Sequence, residues 1–291
     1  MVGKKISIIV PVFEKKENFI IFYESTKKNI LKNDNIEFIF VDDGNNYNLE
    51  EIINLEINKY RLVKNTKNLG YGASIKKGVV ASDNDIIGII DCDNSYDLDH
   101  LIILFSNFEE ANCDMIVGKR IFKYRDNYLK ILFRKTINIL STLIFNYKVE
   151  DINSGLRIFY KADFIKDRNI YSDKFSLSST QTLCTISRNK IINYVDTNYF
   201  KRDGVSKISV FMDPFRFLYL IFKVFLIFSP MKFFGTIGIF FIIISFLILI
   251  LSLFFLVNIL DVTFLILFIS GLNFIFFGLI AEIIKIYNNK D

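Results

Sequence analysis

The chain is expected to be an α/β protein with a mostly parallel sheet, followed by a two-helix transmembrane hairpin. Three observations carry this expectation. Apolar strand-like runs alternate with helix-like periodicity in its first half. Two of those runs end directly in closely spaced aspartates. Two long stretches near the C-terminus are almost free of charge.

Ile6 to Val12 reads as the first strand, and Glu17 to Leu31 as a helix with Phe19, Ile20, Phe22 and Tyr23 as its apolar residues. Ile36 to Val41 is the next strand and runs into Asp42-Asp43-Gly44. Tyr60 to Val63 forms a third short strand, Gly70 to Val80 a helix, and Ile86 to Ile90 a buried central strand that ends in Asp91-Cys92-Asp93-Asn94-Ser95. In open parallel sheets ligands bind beyond the carboxyl ends of the strands, so Asp42, Asp43, Asp91 and Asp93 are expected on one rim. Strand alternation would turn Asp91 and Asp93 the same way. Two carboxylates held that close repel unless a cation lies between them, which is how an oxygen-ligand site for Mg2+ or Mn2+ is made. A solvated acidic loop is the plain alternative. A helix-loop-helix calcium site is excluded, because it needs Gly where Tyr96 stands and an acid where Ile102 stands.

Asn68-Leu69-Gly70-Tyr71-Gly72 looks like the start of a dinucleotide fingerprint but fails it. The third glycine would fall on Ile75, and the segment follows the third strand instead of the first. What these glycines allow is close approach of a helix N-terminus to a phosphate or ribose.

The 52% hydrophobic fraction, with 32 Phe among 291 residues, is too apolar for an ordinary soluble protein. The excess lies after Phe215, where spans of about 234–257 and 262–283 flank a polar turn at Asn258 to Asp261. Lys232 precedes the first span and Lys285 and Lys290 follow the second. The positive-inside rule therefore puts the large domain and both termini on the cytoplasmic side of a membrane, as a multi-pass protein of the cytoplasmic membrane. The expected organisation is a cytoplasmic domain over 1–213, an amphipathic interfacial helix over 214–232 and a transmembrane hairpin over 233–291. Phe122 to Tyr147 also mixes aromatic with basic residues, as helices lying on a bilayer do. A net charge of +5 without a basic stripe gives no reason to expect nucleic acid as a partner. Pro11 and Glu14 interrupt the first apolar run, so a signal peptide is not expected. Cys92, Cys113 and Cys184 form no Cys-x-x-Cys pair and read as buried small hydrophobes; His100 is the single histidine.

Ile8-Ile9-Val10-Pro11-Val12-Phe13, Val41-Asp42-Asp43-Gly44, Asn68-x-Gly70-x-Gly72, Asp91-x-Asp93, Asp151-Ile152-Asn153-Ser154-Gly155-Leu156-Arg157 and Lys201-Arg202-Asp203-Gly204-Val205-Ser206-Lys207-Ile208 occur in that order. Together they resemble family 2 glycosyltransferases of the dolichyl-phosphate-mannose-synthase and bacterial polyprenyl-phosphate glycosyltransferase type. Phe228-Ser229-Pro230 before the first span and Gly278 to Glu282 in the second resemble members with two terminal helices. The resemblance implies a GT-A type, Rossmann-like fold and an inverting transfer from a UDP- or GDP-sugar to a polyprenyl phosphate.

By that resemblance Pro11, Phe13, Glu14, Asp42, Asp43, Asn68, Gly70 and Asp91 would bind the nucleotide, and Asp91, Asp93 and Ser95 would hold Mg2+ or Mn2+. Asp151 would sit by the reacting sugar as base or orienting group, and Arg157, Arg202 and Lys207 would clamp phosphates. Of these, Arg202 and Lys207 are assigned to the acceptor phosphate, because they lie shortly before the amphipathic stretch Pro214 to Phe228. The chain departs from the family pattern at Glu14-Lys15, where Asn-Glu is common, at Ser95, where Gln is frequent, and at Asn45, where Ser is usual. A processive polysaccharide synthase or other cell-envelope transferase is the enzyme alternative, although the chain has no Trp for the Gln-x-x-Arg-Trp motif of that group. A membrane-anchored, non-catalytic nucleotide-binding subunit is the third reading. Homo-oligomer formation is left open.

Overall fold

The computed structural model describes residues 4–30, 34–54, 59–123, 128–174, 176–201, 213–255 and 259–288. The chain divides into two units, Met1–Leu220 and Ile221–Asp291.

The first unit is built on a seven-stranded sheet of order β3-β2-β1-β4-β6-β5-β7 among the described residues. Its strands are β1 (Ile6–Val12), β2 (Ile36–Asp42), β3 (Tyr60–Lys64), β4 (Ile86–Ile89), β5 (Met115–Phe122), β6 (Arg157–Tyr160) and β7 (Ile192–Tyr199). β1 to β4 are mutually parallel, whereas β6 runs antiparallel to both β4 and β5. The sheet is thus mostly parallel, with one reversed strand at its centre. Every residue of β1 is buried, which is why it reads as a continuous apolar run and not as an alternating one. Its one polar residue, Ser7, is satisfied by the Glu37 carboxylate of β2.

The crossover helices α1 (Lys16–Ile30), α2 (Tyr71–Ala81) and α3 (Leu98–Glu110) follow β1, β3 and β4 in the chain. In α1, Phe19, Phe22 and Tyr23 are sealed in the core, with Phe19 packed edge-on against Phe40 at a centroid distance of 5.6 Å. Ile20 is instead 37% exposed. The i, i+3, i+4 spacing of 19, 22 and 23 makes one face, and residue 20 lies a hundred degrees round the helix from it. On α2, a Cβ at Gly78 would stand 2.5 Å from Ile9 Cγ2, so this helix sits directly on β1.

β4 stops at Ile89, one residue short of expectation, although Ile90 N still donates to Ile9 O. Asp91 to Ser95 therefore lie beyond the strand, in a bend in which Asn94 takes the left-handed conformation (φ 57°). Strand alternation does not govern the two aspartates. Further helices are α4 (Tyr128–Phe145), α5 (Lys161–Asp167), α6 (Leu177–Ser187) and α7 (Asp213–Phe228). On α4, the side chains of Tyr128, Ile131, Leu132, Ile139 and Leu143 are exposed.

The second unit holds α8 (Pro230–Phe255) and α9 (Ile259–Asn288), which pack against each other as a hairpin. Both are long and apolar enough to cross a membrane, over Pro230–Phe254 and Val262–Tyr287. The helix already includes Ile259 to Asp261, where a turn was expected, and Asn258 lies outside the described residues. Close approach of the two helices depends on glycine. A Cβ at Gly238 would meet Gly271 O at 2.7 Å, and one at Gly271 would meet Gly238 O at 2.8 Å. At the other end of the pair, Lys285 Nζ donates to Glu282 Oε1 and to Phe228 O, the last carbonyl of α7.

Candidate active site

The site is built where the parallel strands end. Val12 is paired with Asp42 and Asp42 with Lys64, so the exits of β1, β2 and β3 lie side by side. Asp42 closes β2, and its Oδ1 accepts from both Asn45 N (3.0 Å) and Asn45 Nδ2 (2.7 Å). Asn45 Nδ2 also donates to Val12 O, and Asn45 Oδ1 accepts from Glu14 N. This residue ties the ends of β1 and β2 together. Phe13, just beyond β1, is 47% exposed. Pro11 is buried within β1, and its carbonyl accepts from the Cys92 thiol. Burial pushes that thiol well above its ordinary pKa, so it stays protonated.

Asp43 is used differently. Oδ1 accepts from Asn65 Nδ2 and Leu69 N, and Oδ2 from Gly70 N, so the carboxylate organises the loop between β3 and α2. A positive φ of 79° at Gly44 lets the chain turn against that loop, where a Cβ would lie 2.8 Å from Asn68 N. Asn68 itself is exposed on the rim. The expected anion seat at the α2 N-terminus is corrected by the structure. A Cβ at Gly70 would meet Asp173 O at 2.8 Å, one at Gly72 would meet Ser172 O at 2.1 Å, and Ala73 N donates to Asp173 O. The glycines admit a neighbouring stretch of backbone, not a phosphate.

After β4, Asp91 and Asp93 sit at the centre of the sheet's exit rim. Asp93 Oδ1 accepts from Ser95 N and Ser95 Oγ, which fixes the carboxylate in the bend. Ser95 is fully buried and braces Asp93, which differs from the expected role as a ligand in its own right. One oxygen on each aspartate, Asp91 Oδ1 and Asp93 Oδ2, is buried without a hydrogen-bond donor, while both residues have other partners. Gly155 makes room for Asp91: a Cβ there would stand 2.4 Å from Asp91 Oδ2. Among the described residues no three His, Cys, Asp or Glu side chains cluster as a complete metal set. A cation here would be held by the two carboxylates and completed by substrate oxygens and water, the usual condition of Mg2+ at phosphate substrates.

The segment Asp151 to Arg157 closes the site from the β5 and β6 side, and it is braced throughout. Arg120 of β5 grips Asp151 with Nε on Oδ2 at 2.8 Å and Nη2 on Oδ1 at 2.7 Å, and its backbone N also donates to Oδ2. Burial pushes the Asp151 carboxyl up, but the charge and hydrogen bonds of Arg120 outweigh it and hold the pKa below the ordinary carboxylate range. A carboxylate so held is a poor proton acceptor. The Arg120 guanidinium lies 5.4 Å from the Tyr199 ring and 5.5 Å from the Phe122 ring. Ser154 Oγ donates to Gly118 O and pairs with Tyr96 Oη, which also accepts from Gly155 N.

Arg157 corrects the expectation of a phosphate clamp. It is 0% exposed, and its guanidinium donates to Ser154 O, Ser178 O, Gln181 Oε1 and Thr182 Oγ1. Burial lowers its pKa. The side chain knits β6 to α6 and faces no solvent. Arg202 and Lys207 lie outside the described residues. Sequence reasoning missed Arg120, Asn45 as a tie, and Tyr96, because each acts through a partner distant in sequence and carries no local pattern.

The family profile described as Glycosyl transferase family 2 matches residues 7–170. No curated protein matches the chain. Among solved structures, the chain is similar to glucosyl-3-phosphoglycerate synthase from Mycobacterium tuberculosis in complex with Mn2+, uridine diphosphate and glucosyl-3-phosphoglycerate (16% identity, 77% of this chain and 79% of that one, TM-score 0.54). It is also similar to TarS 1–349 from S. aureus in complex with UDP-GlcNAc (18% identity, 76% and 66%, TM-score 0.56). These likenesses establish the GT-A, Rossmann-like fold. With the profile covering more than half of the chain, from β1 through α5, the protein belongs to glycosyltransferase family 2.

Proposed function

We propose that the protein is a membrane-bound, inverting transferase that moves a sugar from a nucleotide-sugar to a polyprenyl phosphate. The observation that carries this reading is the joining, in one chain, of a family 2 sheet whose exit rim holds Asp91 and Asp93 to a glycine-packed hairpin of two apolar helices. Asp42, with Pro11, Phe13, Glu14 and Asn68 around the exits of β1 to β3, receives the nucleoside; Asp43 and Gly70 shape the loop beside it. A divalent cation, Mg2+ or Mn2+, held by Asp91 and Asp93 would neutralise the donor diphosphate and the charge that develops on it as leaving group.

The acceptor phosphate is mostly dianionic near neutrality, its second pKa being about 6. It needs positioning more than deprotonation. This suits an Asp151 that is locked to Arg120 and orients groups at the site instead of taking a proton. Arg202 and Lys207 are assigned to the acceptor phosphate by their place before α7. α8 and α9 are read as membrane spans, with the catalytic unit and both termini on the cytoplasmic side. The exposed apolar residues of α4, with those of α7, are read as resting at the bilayer surface, where the acceptor's headgroup lies.

The test is to incubate the purified protein in lipid with radiolabelled UDP- and GDP-sugars and undecaprenyl phosphate, then extract with organic solvent. Label in the lipid phase, dependent on both added polyprenyl phosphate and divalent metal, is the expected result. Transfer to a water-soluble phosphorylated acceptor, with none to lipid, would reject the acceptor assignment and keep the family.

A further inference from the structure

We infer that Asn45 sets the donor's base by leaving Asp42 one acceptor oxygen for it, an arrangement that fits uracil and rejects guanine. The inference rests on the reading of this rim as a nucleotide-sugar site. Asn45 N and Nδ2 both donate to Asp42 Oδ1, at 3.0 and 2.7 Å, and fill the two lone pairs of that oxygen. The Asn45 amide is itself held at both ends, by Val12 O (2.8 Å) and Glu14 N (3.2 Å), so the pair cannot rotate without breaking the tie between β1 and β2. Asp42 Oδ2 takes no hydrogen bond from any described residue. Asp42 is 8% exposed and lies at the end of β2, one register step from the exposed residue Phe13.

The base edges differ in what they ask of such a carboxylate. Uracil has a single donor, N3–H, between two carbonyl acceptors, and one oxygen satisfies it. Guanine presents N1–H and the N2 amino group side by side, a pair that matches both oxygens of one carboxylate. With Oδ1 saturated, one guanine donor is left unmet in a largely buried place, the situation in which a polar site discriminates most strongly. Cytosine carries a lone pair at N3 where uracil has N3–H, so it offers the carboxylate no donor at that position. A serine at position 45 has one hydroxyl and could not hold Asp42 Oδ1, Val12 O and Glu14 N together.

The test is calorimetric titration of the full-length protein in detergent, with Mn2+ present, using UDP, GDP and CDP. UDP is expected to bind at least about tenfold more tightly than GDP, and more tightly still than CDP. Asn45→Ala is expected to narrow the ratio of UDP to GDP several-fold by tightening GDP. Damage to the fold would weaken both nucleotides, so a gain for GDP separates selection from support. If the variant does not fold, the wild-type ratio alone decides. GDP binding as tightly as UDP, or a ratio unchanged in folded Asn45→Ala, overturns the inference and leaves the transferase reading in place. Binding of none of the three nucleotides overturns the transferase reading itself.

Discussion

The bend after β4 and the approach to β6 look alike in sequence, each a short polar run with an aspartate at its head, yet the structure uses them in opposite ways. From Asp91 to Ser95 one oxygen on each aspartate, Asp91 Oδ1 and Asp93 Oδ2, is buried without a donor although both residues have other partners: Ser95 takes the other oxygen of Asp93, and Gly155 clears space beside Asp91. From Asp151 to Arg157 the polar groups are consumed. Asp151 is paired with Arg120, Ser154 with Tyr96 and Gly118, and Arg157 with four oxygens of its neighbours. A charged motif therefore marks either a ligand site or a joint, and a full account of its hydrogen bonds tells the two apart.

The largest effect that would break this contrast is at Asp93. Asp93→Asn keeps the size and the hydrogen bonds of the bend while removing the charge, so transfer should fall to background in a protein that still melts cooperatively. Excess EDTA should do the same to wild type. Transfer near the wild-type level in either case would place the metal chemistry elsewhere.

At Asp151 the loss should be in stability. Its side chain and that of Arg120 are only 12% and 11% exposed, and removing one partner of such a pair typically costs about 3–5 kcal/mol. Asp151→Asn should lower the midpoint of chemical unfolding at neutral pH. The sign of its pH dependence follows from the depressed carboxyl. The pair's contribution is complete above the unfolded value of about 3.9 and is lost only as pH falls through the lower folded value. Between pH 5 and 8 the difference in stability between variant and wild type should stay flat. A difference that grows or shrinks across that window would mean that Asp151 titrates there and is available as a base after all.

Gly155→Ala sharpens the comparison most finely, because this residue belongs to one segment and shapes the other. The added methyl displaces the Asp91 carboxylate and should weaken Mn2+ binding in the presence of UDP by about tenfold, read by electron paramagnetic resonance. Affinity equal to wild type would show that Asp91 holds no metal.

The sequence by itself determined the succession of strands and helices in the first half up to β4, the placing of Asp42, Asp43, Asp91 and Asp93 at or beyond strand ends, and the two apolar helices. These are local properties: runs, periods and charge-free lengths written in adjacent residues. Only the tertiary structure decided that β6 inserts antiparallel between β4 and β5, that Gly70 and Gly72 receive the backbone of Ser172 and Asp173, and that Arg157 is sealed in the core. Each of these depends on a partner remote in the chain, and a hydrogen bond or a close contact made across that distance leaves no periodic trace in the sequence around either residue.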